Sequence, residues 1–337
     1  MSTIREVAER ANVSPTTVSH VINQTRFVSD DVKLRVQEAM QELNYQPNAL
    51  ARSLRSGKTH TLGLILPDST NPYFAEIGHK VEARAYQLGY SVILCNSQDN
   101  TEKESFYLNV LYNKRVDGII LVSVGAELST LQFLRERRIP VVAVDRNFPE
   151  GELDMVQGDN RRGGWLAARH LIDLGHRRIG CVTGSFQINP SSERYHGFRQ
   201  ALEESRLELD PSLVLGGDFR PESGWQAGLQ LLSRADRPTA IFAWNDLMAM
   251  GVLRAAAECG LRVPQDLSVV GYDDIELSGF ITPPLTTIHQ PKAEMARIAV
   301  ECLVSKTWSE PEGFNRHILE PVLIARQTSG PAPRLAE

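Results

Sequence analysis

An α/β fold of two doubly wound, Rossmann-like lobes behind a small all-α helix-turn-helix head is predicted by three observations in this 337-residue chain. Three helical patterns fill the first 46 residues. From residue 61 onward, apolar runs that suit buried parallel strands alternate with helical segments. That βαβα series then starts afresh near Ile179, which implies two lobes.

The head comes first. Ile4, Val7, Ala8 and Ala11 make one apolar stripe of a short helix, and Asn12-Val13-Ser14 breaks it. Ser14 is an N-cap, and Pro15 takes the first helical position, where its missing N–H costs nothing. The second helix runs to about Asn23 with Val18, Val21 and Ile22 inward. Its other face shows Thr16, Thr17, Ser19 and His20, short and hydrogen-bonding. A third helix follows Ser29-Asp30, with Val32, Val36, Ala39, Met40 and Leu43 as its stripe. Two short helices about a three-residue turn form the layout whose second helix can lie in the major groove of DNA. A plain three-helix bundle with a solvated polar face is the alternative.

Residues 45–58 form a linker bracketed by Pro47 and Gly57, in which Asn48 can start a short helix. Such a helix is too short to stand alone and orders only against a partner, because nucleation is costly and few bonds follow. The plainer alternative is a basic linker with Leu50 and Leu54 packing locally.

In the body, strands are expected at Thr61–Leu66, Ser91–Cys95, Gly118–Val122, Pro140–Val144, Ile179–Thr183, Ala240–Ala243 and Leu267–Gly271, with helices near 73–88, 101–114 and 127–137. Ligands of such folds bind off the carboxyl ends of strands. Those ends carry Asp68 to Phe74, Asp145-Arg146-Asn147, Arg194, Asn245-Asp246, Tyr272-Asp273-Asp274 and Gln290. Carboxylates accept hydroxyl protons, guanidinium and amide groups donate, and rings cover an apolar face, so the set suits a small polyhydroxyl ligand. Taken singly, each is equally a loop cap or turn residue.

Composition narrows the class. The chain is 42% hydrophobic and 23% charged, as soluble globular proteins are. No apolar run approaches the roughly 18–20 residues of a membrane helix, and the first residues lack the apolar core of a secretory signal. Four scattered cysteines, with no Cys-x-x-Cys, argue against a disulfide framework or zinc cluster and suit a reducing cytoplasm. The net charge of −5 hides an asymmetry: residues 1–58 hold eight Lys/Arg against six acids, a net +2, which leaves −7 on the rest. A basic head on an acidic body fits a chain whose head alone touches phosphate. There is no Gly-x-Ser-x-Gly, Walker loop or His-Glu-x-x-His, so no enzyme, cofactor or metal is expected.

Val13-Ser14-Pro15-Thr16-Thr17-Val18-Ser19-His20-Val21-Ile22-Asn23, followed by Arg26-Phe27-Val28-Ser29, resembles the N-terminus of the lactose/galactose-repressor family. The ribose operon type is nearest and the purine type second, and the similarity runs on to about Arg326. The resemblance implies a helix-turn-helix domain over 1–46, a hinge over 47–58 and a two-lobed domain of the periplasmic sugar-binding type over 59–327, followed by a frayed tail over 328–337. It implies a cytoplasmic, ligand-responsive repressor that binds a pseudo-palindromic operator as a homodimer. Thr16, Thr17 and His20 would read bases, while Ser14, Ser19, Asn23 and Arg26 would meet backbone or flanking bases. Leu54 would wedge into the minor groove, with Arg52 and Arg55 on phosphates or groove edges. Asn71, Tyr73, Phe74, Asp145, Arg146, Arg194, Asn245, Tyr272, Asp273 and Gln290 align with sugar-contacting positions, which favours D-ribose or a close pentose. Phe219, within Asp218-Phe219-Arg220-Pro221-Glu222-Ser223-Gly224, matches a ring that stacks on a purine, so hypoxanthine or guanine as corepressor is the alternative. A carbon-control regulator with a phosphoprotein corepressor is a further one.

Overall fold

The computed structural model describes residues 2–333 except 24–25, 47–56, 123–131, 135, 138, 146–147, 149–152, 186–188 and 306–313. The chain divides into two compact units, Met1–Thr59 and His60–Glu337.

The first unit holds α1 (Ile4–Ala11), α2 (Pro15–Asn23) and α3 (Asp30–Glu42). Thr3 and Glu6 form a reciprocal capping box at the start of α1, satisfying two orphan N–H groups. Asn12 ends α1 in the left-handed region at φ 51°, which turns the chain toward α2. Val7, Ala8, Ala11, Val18, Val36 and Ala39 are the buried core, the inward residues expected from spacing.

The second unit contains two six-stranded sheets. Along the chain lie β1 (Thr61–Leu66), α4 (Pro72–Gln87), β2 (Ser91–Asn96), α5 (Thr101–Asn113), β3 (Gly118–Leu121), β4 (Val141–Val144) and β5 (Asp154–Gly158). There follow α6 (Asn160–Asp173), β6 (Ile179–Thr183), α7 (Asn189–Glu204), β7 (Val214–Gly216), α8 (Pro221–Leu232), β8 (Ala240–Ala243) and α9 (Asp246–Glu258). The rest is β9 (Ser268–Asp273), β10 (Thr286–His289), α10 (Lys292–Ser305), β11 (Arg316–Leu319) and β12 (Val322–Ile324). The sheet orders are β11-β5-β4-β3-β1-β2 and β12-β10-β9-β8-β6-β7. Among the described strands, only β12 runs antiparallel to its neighbour. The expected doubly wound pair of lobes is therefore present. Most of the expected helix at 127–137 lies outside the described residues.

The chain passes between the lobes at 158–160, 289–292 and 319–322. Central strands β3, β4, β6, β8 and β9 are buried along their whole length, as a parallel sheet covered on both faces requires. In the second lobe α6 and α7 touch backbone to backbone. A Cβ at Gly164 would stand 2.1 Å from the Arg194 carbonyl oxygen, and one at Gly197 would stand 1.8 Å from that of Arg161. Only glycine permits this approach, and it sets the position of Arg194.

The expected frayed tail is in its first part woven into the second lobe. Thr328 is fully buried, donating to the Val269 carbonyl (2.7 Å) and accepting from Thr286 N (2.8 Å). Buried His176 lies 3.1 Å from the Gly330 carbonyl and 3.0 Å from Ser268 Oγ, and Gly330 N donates to that same hydroxyl. Pro/Gly-rich composition signalled a loose end, but backbone pairing with β9 decides. Residues 334–337 lie outside the described set.

Candidate functional site

In the head unit, the α2 face is organised by its own side chains. Thr17 N donates to Ser14 Oγ (3.1 Å), the predicted N-cap, and the two hydroxyls are 2.9 Å apart. Asn23 Nδ2 donates to the Ser19 carbonyl (2.8 Å) and to Ser19 Oγ (3.2 Å). Thr16, Asn23 and Arg26 are exposed, and Thr17, Ser19 and His20 half-buried. One polar face thus presents the residues expected at bases, with Ser14 and Asn23 also serving the helix itself. Arg52, Leu54 and Arg55 lie outside the described residues.

In the body, a cavity of about 680 Å³ opens at the carboxyl ends of the strands. Of the expected ligand residues, Asn71, Tyr73, Phe74, Asp145, Arg194, Phe219, Asn245 and Asp273 line it. Arg146 lies outside the described residues, and Tyr272 and Gln290 are fully buried behind the wall. Tyr272 places its ring 3.7 Å from the Arg194 guanidinium carbon, and Gln290 Nε2 donates to Asp273 Oδ1 (2.9 Å). Both position residues that reach the cavity and are not themselves on its wall.

Two asparagines take the cap role that the sequence also allowed. Asn71 Oδ1 accepts from Tyr73 N (3.0 Å) at the start of α4. Asn245 Oδ1 accepts from Met248 N (2.9 Å) to cap α9, and its Nδ2 donates to the Phe219 carbonyl (2.9 Å). Asn245 therefore lines the cavity and also braces Phe219. That residue is left-handed at φ 67°, and its ring lies where a Cβ on Gly184 would stand, 2.0 Å from the ring Cζ. A glycine at the end of β6 is needed to seat the aromatic wall.

The polar centre is Arg194 and Asp273. Arg194 Nε donates to Asn160 Oδ1 (2.8 Å), Nη1 to the Trp244 carbonyl, and Nη2 lies 3.9 Å from Asp273 Oδ1. Burial works against the guanidinium charge, but Tyr272, Asp273 and Asp145 outweigh it and hold the group firmly charged. Burial pushes the Asp273 carboxyl up to about 7, against the opposing pull of Arg194, Gln290 and Lys292. Burial and the neighbouring Asp145 and Asp273 carboxylates also raise the Tyr73 hydroxyl well above its ordinary value. Asn160, which also accepts from the Tyr272 hydroxyl (3.3 Å), was missed in the sequence, although it lies two residues past the end of β5. Asp99, Arg220 and Leu247 were missed as lining residues too. Asp99 is in a left-handed turn beyond β2 (φ 55°), and a strand end followed by a turn was the available signal.

No described helix is long and apolar enough to cross a membrane. Residues 3–48 match the model of bacterial regulatory proteins of the lacI family, and residues 168–329 match that of a periplasmic binding protein-like domain. The chain is 44% identical over 332 residues to an HTH-type transcriptional repressor PurR of Haemophilus influenzae (strain PittEE), covering 97% of this chain and 98% of the relative. Among solved structures it resembles a lac repressor dimer bound to operator and the anti-inducer ONPF, with 31% identity, 98% and 99% coverage and a TM-score of 0.87. A LacI family transcriptional regulator from Enterococcus faecium with bound ribose matches at 31% identity, 80% and 99% coverage and a TM-score of 0.74. The three-helix head with its polar α2 face, the two lobes linked by three crossings and these matches agree: the chain belongs to the lacI family of bacterial regulatory proteins and is a ligand-responsive transcriptional repressor.

Proposed function

We propose that the cleft takes a purine base as corepressor and that the loaded homodimer holds a pseudo-palindromic operator. The observation that carries this reading is the composition of the cavity wall, where the Phe219 and Phe74 rings share one space with Arg194 and Asp273. A flat base offers two π faces to aromatic walls. Its edge offers oxygen and nitrogen acceptors to a guanidinium fork, and its ring N–H groups suit a carboxylate. Relatives 44% identical along nearly the whole chain carry the name PurR, which supports a purine over the pentose favoured by strand-end chemistry alone.

A pentose is the second reading, favoured by the ribose-bound neighbour and by the several carboxylates on the wall. Thr16, Thr17 and His20 would read base edges, and the dimer would bring two such heads to two half-sites. Titrating the full-length protein calorimetrically with hypoxanthine and with D-ribose separates the ligands. Heat from hypoxanthine together with tighter operator binding is expected. Heat from D-ribose with hypoxanthine silent up to millimolar concentration would overturn the purine reading.

A further inference from the structure

Lys292 opens α10 at the second crossing between the lobes, and it is buried, with 4% of its side chain exposed. Its ammonium carries three donors, and three acceptors meet it. Two are the main-chain carbonyls of Asp273 (2.8 Å) and Asp274 (2.7 Å), at the end of β9 in the second lobe. The third is Glu76 Oε2 (2.9 Å), on α4 of the first lobe. Asp273 and Asp274 are both left-handed, at φ 106° and 50°, and so this stretch departs from the strand just where the lysine grips it. Glu76 Oε1 also accepts from Glu276 N (2.8 Å), two residues past the second gripped carbonyl. Glu76 lies one helical turn beyond Tyr73, whose ring is 5.9 Å from the lysine nitrogen.

These contacts bring two jobs together in one residue. Asp273 lines the cavity, while its carbonyl is one of the three acceptors that hold a buried ammonium bridging the lobes. A ligand that pulls on the carboxyl therefore acts on the same short segment that anchors Lys292. Opening the cleft would draw Glu76 away and leave the ammonium short of an acceptor in a dry site, which is strongly disfavoured.

We infer that Lys292 is a positioning residue: with Glu76 it forms an interlobe clasp that holds Asp273 in place and couples cleft occupancy to the relation of the two lobes. For its effector arm the inference rests on the purine reading above. The test uses the full-length protein and the variants Lys292→Met and Glu76→Gln, with hypoxanthine as the probe. Operator affinity by fluorescence anisotropy, with and without saturating hypoxanthine, gives the coupling ratio. Spin labels on the two lobes give the ligand-free interlobe distance distribution. Lys292→Met is expected to cut the coupling ratio by roughly tenfold and to broaden the distance distribution. Glu76→Gln keeps one of the two contacts and is expected to give a smaller change in the same direction. A merely structural lysine would lower thermal stability without selectively lowering the ratio. Wild-type values of both ratio and distribution in Lys292→Met would overturn the clasp, and if that variant does not fold, wild-type values in Glu76→Gln do so. If hypoxanthine leaves wild-type operator affinity unchanged, the purine reading fails, and the ligand-free distributions still decide the clasp.

Discussion

Asp273 and Arg194 carry the chemistry at the scale of single residues. With its carboxyl up at about 7, Asp273 is partly protonated near neutral pH, whereas a ring N–H of the proposed purine would need the ionised acceptor. Effector affinity is therefore expected to fall as pH drops below about 7, approaching tenfold per unit for one coupled proton. Calorimetric titrations between pH 8 and pH 5.5 check this, and Asp273→Asn should flatten the profile. Arg194→Ala removes the guanidinium from a site that Asn160, Trp244 and Tyr272 are arranged to hold. It leaves the Trp244 carbonyl without this donor and Asn160 Oδ1 with the Tyr272 hydroxyl alone, at about 1–3 kcal/mol or more. The expected result is a protein that binds operator and ignores its effector, read by anisotropy with and without ligand. In the head, Thr16→Ala is expected to cost roughly 1–3 kcal/mol at the cognate operator while binding to random DNA stays nearly unchanged. Equal loss on both would show that this face does not read bases.

At the scale of elements, the strongest apolar patterns were legible. Thr61–Leu66, Ile179–Thr183 and Ala240–Ala243 come out at their expected boundaries because they are central and fully or almost fully buried. Strands β7, β11 and β12 went unread because each is three or four residues long and half exposed at or near a sheet edge. β5 was hidden by Asp154, a polar residue that is nonetheless fully buried, its Oδ1 accepting from Asn315 N (2.8 Å). The cavity was legible as a set of strand ends, but not in depth. A sequence does not say whether Asn245 caps a helix or meets a ligand, nor that Tyr272 stands behind Arg194. Tertiary packing alone decides those.

Two predictions belong to elements. If Leu54 is the minor-groove wedge that the family resemblance implies, Leu54→Ala should preserve folding and effector binding but reduce operator affinity and DNA bending. A circular-permutation assay that gives the same bend for variant and wild type would refute the minor-groove role. The tail clamp turns on His176, whose imidazole is held below its ordinary value by burial. The unfolded chain therefore takes up the proton first as pH falls, so this clamp's stabilisation is present above about 6.5 and is lost below it. Thermal midpoints between pH 7.5 and pH 5 should fall more steeply in the wild type than in His176→Gln.

At the scale of the whole molecule, the lobes are not consecutive stretches of chain. The first lobe's sheet is completed by β11, which follows every strand of the second lobe except β12. A chain ending at residue 315 would lack β11 and β12 and leave both sheets one strand short. Limited proteolysis of that truncation should show faster cleavage in both lobes, and not a clean loss of one.

The same threading has a consequence for synthesis. On the ribosome, translation runs from the head to the tail, yet the first lobe has an open β5 edge until some 160 further residues have been made. An unpaired edge is a template for unwanted pairing with other chains. The nascent repressor therefore spends much of its translation with a sticky flank, and neither sheet is complete until β11 and β12 have been made. Arrest of translation shortly before residue 316 should expose that flank to aggregation and chaperone capture, and release of the finished chain should relieve it.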